Sequence, residues 1–325
     1  MDTEVFYRGY LDDRHQSLTQ PDGTERKARP AMYLGIDVGG TKTQGAYERD
    51  GEIALTARLA TPKDYGQLLD ALTHMAGEVA ESCGELVTHI GIGVPGTASE
   101  QRVTWVPNLP YLDGNPLAND LYERTRAEVV VGNDAQFALL GEVWRGAARE
   151  HEHAVLVSVG TGIGGAIYMN GRLLRGSHGS AGAFGWLNLD MREPPNSDHG
   201  HLELHASGAA LDEMARTLDP PRTSYEIVAG ARTGDPACIG LIERLATLLG
   251  AGCASIASIL DPDVIIFSGG LADAFDLLEA PLQDGLRARG SPSVRETPIV
   301  VSQLGRYAAA YGALRAAMLQ RAVWE

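Results

Sequence analysis

Two short turns in this sequence carry residues suited to holding an anion. The first, in IDVGGTKT, sets Asp37 at the end of an apolar run and follows it with Gly39, Gly40, Thr41 and Lys42. The second, in VSVGTGIGGAI, sets Gly160, Thr161 and Gly162 behind another apolar run. Glycine lets backbone N–H groups approach a ligand closely, and successive N–H groups in a turn make a concavity for negative charge. Threonine hydroxyls add donors and Lys42 adds a cation. A strand-end carboxylate such as Asp37 can hold Mg²⁺ directly or through its water shell. Phosphate is the anion this chemistry suits. Each feature also has an ordinary use, because glycine turns close hairpins, a turn lysine is solvated and a strand-end aspartate caps its turn.

A further carboxylate stands in VVVGNDAQFALLGEVW, where Asn133 and Asp134 join a buried apolar run to an amphipathic helix. Taken alone, Asp134 reads as a helix N-cap. Asn133 and Asn108, the latter in VPNLP, read alone as turn residues.

The elements that must position these residues follow from hydrophobic periodicity. From Tyr33 onward short strand-like runs alternate with longer helical patterns, the signature of an α/β protein. YLGIDV and TQGAYE flank the first glycine turn, and Asp50-Gly51 suits the tight turn of a hairpin. THIGIGVPG, AEVVVGND, HAVLVSVG and PDVIIFSGG read as strands ending in small residues, the last leading into Gly269 and Gly270. YGQLLDALTHMAGEVAES, CIGLIERLATLLGAGCASIASIL and YAAAYGALRAAMLQRA read as helices. Leu156 to Leu174 repeats the plan of the opening stretch, with Asn170-Gly171 in the place of Asp50-Gly51. This internal duplication predicts two related domains facing one another across a cleft, each offering a turn of N–H groups to the phosphates of one nucleotide.

Rival uses of the glycines fail on context. Gly160, Gly162 and Gly165 match G-x-G-x-x-G, but a dinucleotide fingerprint must open a helix, and here a strand follows. GGTKT lacks the adjacent Gly-Lys of a P-loop and also leads into a strand.

The chain has 325 residues, 44% of them hydrophobic, enough for two domains with substantial cores. A formal net charge of −15 argues against a general nucleic-acid or anionic-membrane binder, which would present a basic face. Cys83, Cys238 and Cys253 are scattered and match no metal-ligand spacing, which fits a reducing cytoplasm. Residues 1–31 are polar, without an apolar signal core or helical periodicity, and are expected to form a flexible extension and neither a secretory signal nor a DNA-binding head. No uninterrupted apolar run is long enough to span a bilayer.

The ordered motifs IDVGGTKT, GIGVPG, VPNLP, VGNDAQFALLGE, VSVGTGIGGAI, GSAGAFGW, HLELHASGAAL and VIIFSGGLAD resemble the ROK family of sugar kinases and repressors, within the actin-like and hexokinase-like ATPase superfamily. The match is collinear from about Tyr33 to the C-terminal helix. It implies an α/β fold of two actin-like (ribonuclease H-like) domains, expected at residues 32–131 with 308–325 and at 132–307. It implies ATP with Mg²⁺, and transfer of the γ-phosphoryl group to a sugar hydroxyl, usually that on C6; polyphosphate would suit the same loops. The resemblance makes Asp134 the catalytic base, since a sugar hydroxyl is too weakly acidic to ionise near neutral pH and needs a carboxylate to take its proton. Asn108, Asn133 and Glu203 resemble sugar ligands. Asp37, Gly39, Gly40, Thr41, Lys42, Gly160, Thr161, Gly162, Gly269 and Gly270 fall on the nucleotide and metal side. A homodimer is the family's expectation. The alternative is a sugar- and ATP-binding regulator without turnover, which the absence of a DNA-binding head and the presence of Asp134 disfavour.

The departures from the family pattern concern the sugar shell and a zinc ion. ROK kinases commonly carry Gly-Glu-x-Gly-His where this chain has Gly182-Ala183-Phe184-Gly185-Trp186, so a glutamate and a zinc-ligating histidine near sugar C1 and C2 are replaced. Trp186 can stack on a sugar ring or fill the core. The zinc cysteines are missing from EPPNSDHGHLELHASG, and no structural zinc is expected. His199, His201 and His205 invite another metal reading, with His201 and His205 able to share a helix face, but the sequence shows no fourth ligand.

Overall fold

The computed structural model describes residues 31–98, 102–106, 108–194 and 196–324. The expectation for the N-terminal extension lies outside the described residues, Ala31 excepted. The chain forms two compact α/β units. The first comprises the described residues up to Asp134 together with Ala313–Gln320, and the second comprises Ala135–Gly312 and the residues from Arg321.

In the first unit the sheet order is β3-β2-β1-β5-β8, with strands β1 (Met32–Val38), β2 (Lys42–Arg49), β3 (Glu52–Leu55), β5 (Val87–Val94) and β8 (Glu128–Asn133). Strand β4 (Leu59–Ala60) pairs with β2, and the short strands β6 (Thr97–Ala98) and β7 (Val103–Thr104) pair with each other. β1, β2 and β3 are antiparallel neighbours, whereas β1, β5 and β8 are parallel. The β2–β3 connection is the expected Asp50-Gly51 turn, with φ of 54° and 82° at its two residues. Central β1 is apolar almost throughout, and Leu34 and Ile36 are fully buried, each side chain contributing about 1.5–3 kcal/mol. Helix α1 (Tyr65–Cys83) covers the sheet with Leu68, Leu72 and Met75; Asp64 caps its start and Gly84, at φ 70°, ends it. Helix α2 (Leu117–Thr125) adds Leu117 and Leu121 to the same core.

Helix α3 (Asp134–Arg145) leads into the second unit, whose sheet order is β11-β10-β9-β12-β13. Its strands are β9 (Ala154–Val159), β10 (Ile163–Met169), β11 (Arg172–Leu173), β12 (Val264–Ser268) and β13 (Ile299–Val301). The plan of the first sheet recurs. β9, β10 and β11 are antiparallel, β9, β12 and β13 are parallel, and Asn170-Gly171 turns at φ 53° and 81°. The duplication read in the sequence is therefore a duplication of topology, and the fold is the actin-like one that the motifs implied.

Helices α4 (His201–Ala206), α5 (Gly208–Arg216), α6 (Ser224–Arg232), α7 (Pro236–Leu260), α8 (Phe275–Arg289) and α9 (Ala308–Leu319) complete the chain. Asp235 caps α7, and Pro236 occupies its first position, where no N–H is needed. By length and composition α7 is the one described helix that would suit a bilayer, although Glu243 and Arg244 interrupt its apolar run. Here Leu245, Leu249 and Cys253 are buried in the second core, where Gly250 meets Gly285 of α8.

Candidate active site

In the first unit, register brings the predicted residues to one edge. Asp37 of β1 pairs with Gly93 of β5, and Gly93 with Gly132 of β8, so Asp37, Asn133 and Asp134 all emerge at the carboxyl ends of parallel strands, where ligands bind in open α/β sheets. Asp134 is also the first residue of α3, where a negative charge suits the helix dipole. Asn133 donates from Nδ2 to the Gly96 carbonyl at 2.8 Å. Gly96 has a φ of 119°, and a Cβ there would lie 2.6 Å from the Trp105 oxygen. Asp37 is half-buried, and burial, followed by the nearby Asp134 charge, raises its carboxyl to about 7 against the opposing pull of Arg58. Two carboxylates in this relation favour a bound cation or a shared proton.

The first glycine loop is braced from behind by Thr61. Its Oγ1 donates to the Gly39 carbonyl at 2.7 Å, its N–H donates to the Thr41 carbonyl at 3.0 Å, and Thr43 Oγ1 donates to it at 3.0 Å. The Gly39 N–H closes the loop onto the Lys42 carbonyl at 2.9 Å and is thereby occupied. This narrows the expectation for Gly39, because the outward donors of the loop are Gly40, Thr41 and Lys42, which are exposed. The Asn108 Cβ lies 3.4 Å from where a Gly40 Cβ would stand, so Asn108 adjoins the loop.

The second loop is built alike. Gly160 donates to the Gly162 carbonyl at 2.9 Å, and the Gly160 and Thr161 carbonyls accept from Gly208 and Ala209 at the start of α5, at 2.7 and 3.3 Å. β10 begins directly after Gly162, which removes the dinucleotide reading of these glycines. Gly269 takes φ 87°, and a Cβ on it would meet the Val159 carbonyl at 2.5 Å. Over Gly160, Thr161 and Gly270 opens a cavity of about 470 Å³, within the range of small-ligand sites. Val228, Ala229, Leu271 and Ala274 give it apolar walls, while Asp212, Arg216 and Tyr225 supply polar groups. Asp212 is held by the Ser224 N–H at 2.8 Å, and Arg232 by Asp276 at 2.7 Å. The sequence reading missed these residues, since α5 and α6 carry no phosphate motif and only the fold sets them beside the loop.

Glu203 on α4 accepts from the Ile163 N–H through Oε2 at 2.7 Å, which ties the helix to the start of β10. Its other oxygen, Oε1, lies 3.2 Å from His199 Nδ1. Gly162 and Gly185 are glycine for this reason, because a Cβ on the first would sit 2.3 Å from Glu203 Oε2 and on the second 2.6 Å from the Ile163 carbonyl. Phe184 is buried, whereas Trp186 is 45% exposed, so the packing role falls to Phe184. The three histidines do not converge. His199 turns to Glu203, and His205 Nε2 meets Glu193 Oε2 at 2.7 Å with His201 beside it. With Trp186 in the histidine's place and no cysteines nearby, the family's zinc ligand set does not fit this chain.

The ROK family model matches residues 33–320. The glucokinase of Streptomyces coelicolor is 32% identical over 307 residues, covering 87% of this chain and 96% of that protein. The N-acetyl-D-glucosamine kinase of Escherichia coli is 30% identical over 280 residues, covering 81% and 92%. Among solved structures, a ROK family glucokinase from Streptomyces griseus in complex with glucose and AMPPNP aligns with a TM-score of 0.74 at 29% identity, covering 89% of this chain and all but 1% of that one (99%). Sequence, topology and glycine loops thus agree, and the chain belongs to the ROK family.

Proposed function

We propose that this protein is an ATP-dependent carbohydrate kinase that transfers the γ-phosphoryl group to a hydroxyl, that on C6, of a hexose or modified hexose. The observation that carries the reading is the pairing of Asp37 and Asp134 at one sheet edge of the first unit, which recruits a cation beside a carboxylate able to act as a base. The 470 Å³ cavity over the Gly160–Gly162 loop supports it, with apolar walls for a base and donors for phosphate.

Phosphoryl transfer asks the protein for positioning and charge stabilisation. The donors at Gly40, Thr41, Thr161 and Gly162 hold phosphate oxygens, and Lys42 adds positive charge. Asn108, Asn133 and Glu203 orient the acceptor, and Asp134 takes the proton of the attacking hydroxyl as the new O–P bond forms and the bond to the β-phosphate oxygen breaks, releasing ADP. Asp37 fits Mg²⁺, because a hard cation offsets the burial and the neighbouring charge that hold this carboxyl high. When bound, Mg²⁺ supplies charge neutralisation on the phosphates.

A homodimer in the cytoplasm is proposed on the family's precedent and is tested by light scattering on purified protein, and the net charge of −15 supports a protein that binds neither nucleic acid nor an anionic membrane. The decisive experiment is ADP release against a panel of hexoses, aminosugars and deoxysugars, with Asp134→Asn as control. Activity on at least one acceptor that the variant lacks supports the reading. Flat traces throughout, with sugar binding retained, would point instead to a regulator.

A further inference from the structure

The side chains of Glu193, His201 and His205 form a cluster that the phosphoryl-transfer reading does not use. Their ligand-capable atoms lie within 4.8 Å of one another. Glu193 Oε2 is 2.7 Å from His205 Nε2 and 3.6 Å from His201 Nε2, and the two imidazole rings have centroids 4.7 Å apart. In a tetrahedral site with bonds of 2.0–2.2 Å, ligand atoms stand about 3.4 Å apart. The two Glu193–histidine separations bracket that value.

Glu193 meets His205 at hydrogen-bond distance but His201 only at 3.6 Å, which is too long for a hydrogen bond. Both ring nitrogens of His201 are buried and neither has a hydrogen-bond partner. Buried polar atoms are nearly always satisfied, and a pair of orphaned imidazole nitrogens facing a carboxylate and a second imidazole has the form of a ligand set lacking its ion. The Asp190 carboxylate on the same segment is engaged by the Arg192 guanidinium.

We propose that Glu193, His201 and His205 bind one divalent transition-metal ion of the zinc class, through one carboxylate oxygen and two imidazole nitrogens. Two imidazoles and a single carboxylate select against Mg²⁺ and Ca²⁺, which need more oxygens. The ion joins the segment carrying Glu193 to α4, the helix on which Glu203 is held to β10. It is a structural tie. The cysteine ligands of the family play no part, and the proposal departs from the sequence-based expectation that no structural zinc is bound.

The inference stands apart from the kinase reading and is tested without turnover. Tag-free protein, stripped with chelator and dialysed into Mg²⁺, is titrated with Zn²⁺ by calorimetry and with Co²⁺ by visible absorption. The expected result is one ion per chain, a Co²⁺ spectrum with d–d bands and no thiolate charge transfer, and a higher melting temperature. Glu193→Gln and His205→Ala, on side chains exposed enough to change without unfolding, should each weaken binding by more than about tenfold. His199→Ala, outside the cluster, should bind as the parent does. Absence of stoichiometric Zn²⁺ binding overturns the proposal, as does binding unaffected by Glu193→Gln and His205→Ala, or equally lost in His199→Ala.

Discussion

Asp37 and Asp134 stand at the carboxyl ends of β1 and β8, two strands of one parallel set, and burial together with the Asp134 charge lifts the Asp37 carboxyl to about 7. The relation is asymmetric in purpose. Both side chains are half-buried; burial and the neighbouring charge suit Asp37 to a cation, while Asp134 opens α3, where the proposed function assigns it the acceptor hydroxyl. Separating the two roles yields separate predictions.

Asp134→Asn should lower kcat by about 10²–10⁴, the usual worth of a general base. ATP affinity should stay near the parental value, because the group acts on the acceptor and not on the nucleotide. Single-turnover rates and equilibrium nucleotide titration check both halves. A variant with parental kcat would remove Asp134 from the chemistry.

Asp37 should make the protein's stability depend on pH in a direction opposite to that of a salt-bridged carboxylate. Its folded value of about 7 lies above the ordinary aspartate value of 3.8, so the folded state binds the proton more tightly. Stability attached to this group is present below about pH 4 and is lost as pH rises through 7. Asp37→Asn removes that loss. The variant should gain on the parent between pH 4 and 7, by at most about 4 kcal/mol and less where solvent reaches the carboxylate. Millimolar Mg²⁺ should narrow the gap above pH 7 by favouring the ionised form. Urea melts across pH with and without Mg²⁺ measure this, and parallel curves for the two proteins would contradict it.

Backbone contact predicts a large cost at Gly91. A Cβ there would lie 1.9 Å from the Ala313 carbonyl oxygen, a backbone atom that cannot rotate away. Gly91→Ala should cost about 2 kcal/mol or more through overpacking. Glu142→Gln tests a second kind of dependence. The fully buried Glu142 carboxylate accepts from Ser302 Oγ at 2.5 Å, the Ala147 N–H at 2.7 Å and the Leu304 N–H at 2.9 Å, and an amide NH₂ cannot accept. A loss of about 1–3 kcal/mol is expected. Chemical denaturation with an unchanged m-value is the readout for both, and losses under about 0.5 kcal/mol would mean the contacts relax freely.

What the sequence showed and what it hid divide along range of contact. Asp50-Gly51 and Asn170-Gly171 announce their turns because positive φ is a local demand met by few residue types. The strand ends carrying Asp37, Asp134 and Gly269 were equally readable from apolar runs that stop at small or acidic residues. Thr61, which braces the first glycine loop, has no local signature, since its partners are Gly39, Thr41 and Thr43. Gly91 resembles a strand residue until the C-terminal helix arrives beside it. His201 and His205 were legible as a pair on a helix face, but Glu193 joins them through a loop, and His199 goes to Glu203 instead.

The last prediction concerns acceptor choice. A site that hydrogen-bonds a hydroxyl rejects ligands lacking it strongly, whereas an apolar wall discriminates by only about 1–3 kcal/mol per methylene-sized feature. At the positions where a glutamate and a histidine were expected near C1 and C2, this chain presents Ala183 and Trp186. The one-turn helix Phe184–Trp186 turns Phe184 inward and leaves the indole 45% exposed, free to offer its face to a sugar ring. Glu203 remains with Oε1 directed to His199, so polar recognition at this end of the ring is reduced and not abolished. The kinase should therefore prefer an acceptor altered at the ring end remote from the phosphorylated hydroxyl, such as an amino, deoxy or anhydro sugar, over glucose. The measurement is kcat/KM for glucose and for such analogues, in the parent and in a variant with Ala183→Glu and Trp186→His. The double substitution should shift preference back toward glucose. If the parent already prefers glucose and the double variant uses it no better, these two positions do not set specificity.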